Sequence, residues 1–273
     1  MKKLFVLQSL AVLSGLLLIS CGRGNTIEDK EIVVGADVTP HALILEVARS
    51  EIEARGYTLK VVSLSDWTRY NPSTLDNEFD ANYFQHSEYL DSYLEREDKA
   101  GELVSALKVH YEHFGIYVGT KNSIESLVPG DSILVPLDTS NQDRALRLLI
   151  QEGLATIKDD NTNRILGVND LDSIYRITPI SAELIAANLS SAALGVINCN
   201  YALNAYGTDG INSKVIALET SDQDTLDSYG NIVAVKKENL NSEAIRVLVE
   251  SLKSDKVSNY ITTTFGGVIE VLF

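Results

Sequence analysis

Between Ile32 and Leu64 the chain spells a strand, a helix and a second strand with few residues to spare. Ile32-Val33-Val34-Gly35-Ala36 is a continuous apolar run, the pattern of a strand covered on both faces. Thr39-Pro40 offers a capping hydroxyl followed by proline at the first helical position. His41 to Arg55 then places Leu43, Ile44, Val47, Ala48 and Ile52 on one helical stripe, and Gly56 closes it. Leu59 to Leu64 is the next strand. A unit of this kind makes its two strands parallel and its crossover right-handed. Parallel strands need helices over their faces, so this stretch alone commits the chain to an α/β architecture.

The same alternation continues. Leu103 to Lys108, Phe114 to Val118, Ser132 to Pro136, Ile174 to Ile180, Ala193 to Ile197 and Asn231 to Val235 read as strands. Helices are expected over Tyr89–Glu97, Gln142–Glu152, Ala182–Leu189 and roughly 241–253 and 255–264. Asp66 to Glu78 reads as an aromatic-bearing loop with a short helix, 159–170 as a polar loop and 204–214 as loop. The strands near 114–119 and 231–235 are the candidates for crossings between two lobes. About 250 residues are near the size at which a chain divides into two cores.

The first twenty residues differ in kind. Met1-Lys2-Lys3 is a basic head, and Leu4 to Leu18 is apolar but interrupted by Gln8, Ser9, Ser14 and Gly15. That run is shorter than the roughly 20 apolar residues a membrane span needs and has the layout of a secretory signal. Leu18-Ile19-Ser20-Cys21-Gly22 resembles the lipobox of bacterial lipoproteins, which implies cleavage before Cys21 and lipidation of its thiol. Residues 21–30 then read as a polar tether. With Cys21 acylated, Cys199 has no cysteine to pair with. The net charge is −15, which repels nucleic-acid phosphates and anionic headgroups.

Phe79 to His86 concentrates aromatic, amide, carboxylate and imidazole groups where a short strand, Asp80 to Phe84, feeds a helix. Ser87 is placed to cap that helix. Open α/β sheets hold ligands at such strand tips. By composition alone, Tyr83 and Phe84 read as ordinary core aromatics.

Several segments together resemble one family, the NlpA/MetQ group of methionine-binding lipoproteins, capture subunits of ABC importers. They are Val38-Thr39-Pro40-His41, Phe79 to His86 with Tyr89-Leu90-Asp91, and Leu103-Val104. His110 and Glu112 before Gly115-Ile116-Tyr117 follow, then Asn141…Arg144-Ala145-Leu146 and Val196-Ile197-Asn198…Asn200-Tyr201-Ala202. The resemblance implies a two-lobe periplasmic-binding-protein fold, type II-like, with the ligand in the cleft between lobes. The lobes are expected as 31–115 with a return segment 231–273, and 116–230.

By the same resemblance Tyr83, Phe84 and His86 contact the ligand side chain, Arg144 its carboxylate, and Asn198 and Asn200 its amino and carboxylate region. His110 lies at a matching cleft position, and Trp67 stands where the family usually has tyrosine. Gln142 replaces a frequent arginine, His113 a common proline, and Ala182 to Ala193 lacks the usual Leu-Pro-Arg pattern. The chemistry is coherent: a guanidinium fork in a first helical turn suits a carboxylate, and ring edges suit a thioether. The alternative reading of Asn198 and Asn200 is strand-end capping.

The expected protein is a lipid-anchored monomer facing the periplasm or cell exterior. It delivers L-methionine to a membrane permease and its ATPase, with no catalytic step, cofactor, resident metal or nucleic-acid partner. Two alternatives stay open. One is the same role for a methionyl dipeptide or other apolar amino acid. The other is a metal carrier, since His41, His86, His110 and His113 all fall in the first lobe.

Overall fold

The computed structural model describes residues 30–158 and 165–273. The signal segment 1–20, Cys21, the tether up to residue 29 and part of the 159–170 loop lie outside the described residues.

The first stretch runs β1 (Glu31–Ala36), α1 (Leu43–Ala54), β2 (Thr58–Val62), α2 (Tyr70–Leu75), β3 (Ala81–His86), α3 (Ser87–Arg96) and β4 (Leu103–Glu112). The middle stretch follows as β5 (Gly115–Val118), β6 (Ser132–Pro136), α4 (Thr139–Gln151), a small ribbon of β7 (Thr156–Ile157) and β8 (Leu171–Asp172), and β9 (Arg176–Ile180). It continues through α5 (Ala182–Asn188), β10 (Leu194–Ile197), α6 (Cys199–Ile211), β11 (Val215–Leu218) and α7 (Gln223–Tyr229). The chain then returns as β12 (Gly230–Lys236), α8 (Glu243–Leu252), α9 (Asp255–Phe265) and β13 (Ile269–Val271).

Two sheets result. One has the order β13-β4-β12-β3-β1-β2, the other β11-β5-β10-β6-β9. β1 pairs parallel with both β2 and β3, as the opening β-α-β unit requires. β12 slots antiparallel between β3 and β4, so the return segment completes the centre of the first sheet. Each sheet therefore mixes parallel and antiparallel pairs, and each is the floor of one lobe. The fold is the two-lobe periplasmic-binding architecture.

α1 and α8 cover the first sheet, burying Ile44, Ala48, Ile52 and Leu248 against Ile32, Val34 and Val233. Each large aliphatic side chain buried this way contributes about 1.5–3 kcal/mol. The second lobe packs Leu146 and Leu149 of α4 on Ile133, Val135 and Val196. The opposite face of the first sheet carries an aromatic cluster that includes Tyr70, Phe79, Phe84 and Tyr89.

Local details depart from expectation where polar groups compete. Thr39 is extended (φ −133°, ψ 129°) and caps nothing. Instead the backbone N–H of Ala42 donates to the Asp37 carbonyl at 2.8 Å, and regular helix begins only at Leu43. His86, not Ser87, caps α3: its Nδ1 accepts from the Tyr89 N–H at 3.0 Å. The 204–214 stretch is helical up to Ile211, broken at Gly207, whose φ of +70° suits glycine alone. Its Gly, Asn, Thr and Asp content hides that helix from propensity, but burial of Ala202, Leu203 and Ile211 holds it. β11, α7 and β13 also escape a reading of apolar runs because they are short.

Candidate ligand-binding site

The two sheets face each other across a cavity whose empty volume, counted out to its mouth, is about 510 Å³. Trp67, Phe84, His86 and Tyr89 reach it from the first lobe, and Asn141, Arg144, Asn198 and Asn200 from the second. The lobes touch. His86 Nε2 lies 3.1 Å from Asn141 Oδ1, Asn200 Nδ2 donates to Asp37 at 3.0 Å, and Trp67 Nε1 donates to Glu183 at 3.3 Å.

Six of the eight residues expected in the site line the cavity: Trp67, Phe84, His86, Arg144, Asn198 and Asn200. Tyr83 and His110 do not, and the structure corrects that expectation. Tyr83 and Phe84 of β3 join different clusters. Phe84 faces the aromatic cluster beside the cavity. Tyr83 faces the main core and is fully buried.

Its hydroxyl donates to Nδ1 of His110, which leaves the proton on Nε2. That nitrogen meets Oε1 of Glu112 at 3.0 Å, and Oε2 of Glu112 accepts the backbone N–H of Asn200 at 2.9 Å. Tyr83 and His110 are thus the hidden end of a relay whose visible end is Glu112, itself on the cavity wall. Burial alone would raise the Glu112 pKa. The His110 hydrogen bond, the nearby imidazoles and the Asn200 N–H outweigh it, and the carboxyl titrates below its usual range.

His41, His110 and Glu112 hold their ligand atoms within 4.8 Å of one another, a set able to hold a metal ion. Those atoms already engage each other and Asn231, which takes His41 Nε2 at 2.9 Å. His41 is pushed down to about 4, by burial first. The cluster therefore reads as a polar network in which Nδ1 of His41 is buried without a hydrogen-bond partner among the described residues.

His86 is held by both nitrogens. Accepting the Tyr89 N–H at Nδ1 makes Nε2 the donor to Asn141. Burial, then the charge of Arg144, pushes its pKa down to about 3, so the ring is neutral at pH 7. Asn141 is fixed in turn: its Nδ2 donates to the α4 cap Asp138 at 2.9 Å, and its Oδ1 accepts Nδ2 of Asn198 at 2.8 Å. Oδ1 of Asn198 is then buried without a partner among the described residues.

Arg144 lies in the second turn of α4, not the first, and is 3% exposed. Its fork is taken. Nε and Nη2 grip Glu219, with Nε to Oε2 at 2.8 Å, and Nη2 also donates to the Glu112 carbonyl at 2.8 Å. Nη1 has no hydrogen-bond partner among the described residues. The guanidinium carbon sits 4.4 Å from the Tyr229 ring centre and 4.7 Å from that of Phe114. Burial would lower its pKa, but the Glu219 carboxylate more than reverses this and Arg144 stays charged. Within the chain, the guanidinium is thus held through Nε and Nη2.

Sequence reasoning gave no site role to Asp37, Glu112, Asn141, Asn231 or Glu219. Glu112 and Asn141 stand inside segments that carry the family resemblance, which was a usable signal. Glu219 meets Arg144 across 75 positions, which no local pattern announces.

Two α/β lobes bringing amides, rings and one anchored guanidinium around one cavity define a solute-binding protein of the periplasmic class. A sequence profile of the NlpA lipoprotein family matches residues 32–271, and the chain belongs to that family. It is 37% identical to the methionine-binding lipoprotein MetQ of Bacillus subtilis over 98% of both chains. It is 27% identical to the D-methionine-binding lipoprotein MetQ of Escherichia coli O157:H7, over 94% of this chain and 93% of that one. A nutrient-binding protein of Burkholderia cenocepacia, solved bound to methionine, superposes with a TM-score of 0.81 at 29% identity, covering 89% of this chain and 100% of that one.

Proposed function

We propose that this protein captures L-methionine between its lobes and delivers it to an ABC permease. The observation that carries the reading is the division of the cavity. Trp67, Phe84 and Tyr89 supply rings from one lobe, while Arg144, Asn141 and Asn198 supply polar groups from the other. A thioether against ring edges gains about 0.3–1.5 kcal/mol per contact, which suits the first set. The Nη1 corner of Arg144 and the asparagine amides suit a zwitterionic end. Because both lobes contribute, the ligand stabilises the closed form over the open one, and closure is the signal a permease reads.

The names of the relatives above support methionine as the ligand. Cys21 is the lipid-attachment site in this reading, and the protein works as a monomer tethered to the outer face of the cell membrane. Among the described residues no helix is long and apolar enough to cross a membrane, which is compatible with that tether.

The test is direct. The soluble form, purified without added ligand, is denatured and its small molecules are identified by mass spectrometry; the refolded protein is then titrated with L-methionine in a calorimeter. Methionine in the extract and saturable binding are expected. An extract free of amino acids and peptides, with no heat on titration, overturns the proposal.

A further inference from the structure

Arg144 belongs to α4 of the second lobe, yet its guanidinium is surrounded by the two stretches that carry the chain between lobes. The first runs from the end of β4 to β5. It supplies the Glu112 carbonyl, 2.8 Å from Nη2, and the Phe114 ring. The second runs from β11 to β12. It supplies Glu219 at its start and Tyr229 at its end.

The two ends of that second stretch are tied to different lobes. Gln151 of α4 brackets Glu219: its amide donates to the Leu218 carbonyl at 3.3 Å and accepts the Thr220 N–H at 3.2 Å. Glu219 therefore travels with the second lobe and with Arg144. Tyr229 goes with the first. Lys108 of β4 donates to the Asp227 carbonyl at 2.7 Å and to its carboxylate at 3.1 Å, and Gly230 pairs with Tyr111 in the first sheet. The Tyr229 ring also packs edge-on to His86 of that lobe, 5.2 Å between centres. Its centre lies 4.4 Å from the guanidinium carbon of Arg144. Arg144 is buried, so water screens little of the attraction between the cation and the ring.

We propose that Tyr229 is a positioning residue for closure: it is the first lobe's hold on Arg144, engaged when the lobes close and released when they part. Tyr229 does not line the cavity, so it acts through Arg144 and His86 and not on the ligand. The inference rests on the methionine-capture reading and adds to it a contact that keeps the closed form closed. Such a hold stabilises the closed state and leaves the first encounter alone, so it governs how slowly the ligand leaves.

Wild type, Tyr229→Phe and Tyr229→Leu are compared with L-methionine as the probe. Calorimetry gives affinity and the fraction of protein that binds. Stopped flow gives the release rate through the emission of Trp67, the one tryptophan of the chain. Tyr229→Leu is expected to release methionine at least about tenfold faster, the scale of a desolvated cation–ring contact, with association rate and binding fraction unchanged. Tyr229→Phe keeps both ring contacts and is expected to stay within about twofold of wild type. Release from Tyr229→Leu at the wild-type rate overturns the assignment. So does an equal acceleration in Tyr229→Phe, or a loss confined to the binding fraction, which is what a purely structural residue gives. Wild type without saturable methionine binding is a separate result: it removes the capture reading, and the assignment falls with it.

Discussion

Glu219 holds Arg144 side-on, with Nε 2.8 Å from Oε2 and Nη2 against Oε1. The same Oε1 accepts the backbone N–H of Phe114 at 2.9 Å and the Tyr111 hydroxyl. One carboxylate therefore binds α4 of the second lobe to the crossing between β4 and β5. Removing one partner of a buried ion pair costs about 3–5 kcal/mol, because the other is left uncompensated. Glu219→Gln is expected to lose stability on that scale in urea unfolding and to weaken methionine binding as Arg144 loses its orientation. Arg144→Met combined with Glu219→Leu is expected to recover most of the stability and none of the binding. Full binding by the double variant would show that Arg144 is structural.

The buried imidazoles set the acid limit of the fold. His41 and His86 are pushed down to about 4 and about 3, by burial first. An unfolded chain takes up these protons near pH 6.5, well before the native one. Stability therefore rises with pH between roughly 4 and 6.5 and is lost on acidification through that window. Glu112, held low, adds stability that disappears at still lower pH. Asp37, pushed up to about 6 by burial, opposes the trend between about 4 and 6, but as one group against two. The Tm at pH 5 is expected to fall below that at pH 7.5 by at least about 2–4 °C, the effect of roughly 1 kcal/mol in a chain of this size. An equal or higher Tm at pH 5 would count against two buried neutral rings.

Gly35 reports how tightly the aromatic wall is packed. A Cβ there would lie 2.5 Å from Phe79 Cδ2 and 2.9 Å from Tyr70 Cδ1. Tyr70 in turn packs 4.7 Å, centre to centre, from the cavity ring Phe84. Gly35→Ala is expected to destabilise by about 1–3 kcal/mol through overpacking and to loosen ligand affinity through the displaced rings. Equilibrium unfolding and calorimetry check both. Unchanged values would mean that the wall is softer than its geometry states.

Cys199 is fully buried, and burial pushes its thiol pKa well above the ordinary value. Thiolate is the reactive form, so iodoacetamide at pH 8 is expected to label it only through opening of the fold. Labelling should slow at least about tenfold when saturating methionine holds the lobes closed. Rapid labelling of the ligand-free native protein would contradict the burial.

Much of this architecture was legible in the residues. The apolar runs of β1 and β10 and the stripes of α1 and α4 announce themselves because a covered strand or helix face must be apolar. The rest was hidden for identifiable reasons. α6 and α7 are built from poor helix formers and are held by packing that a local reading does not contain. Tyr83 and Phe84 are neighbours in sequence yet pack into different clusters, which their shared aromatic character does not reveal. Arg144 was expected to meet a ligand carboxylate, and its pairing with Glu219, seventy-five positions away, is a long-range contact that no local pattern contains.

The position of β12 governs the order in which this chain can become itself. The second sheet is drawn from one unbroken stretch, Gly115 to Leu218, and needs nothing from later residues. The first sheet has a gap at its centre until Gly230–Lys236 arrives between β3 and β4. A chain emerging from its amino end thus meets a long wait, with β3 and β4 presenting open edges meanwhile, and long-range strand insertion is slow by nature. Pulse-labelled hydrogen exchange during refolding should find amides of the second sheet protected before those of β3 and β4.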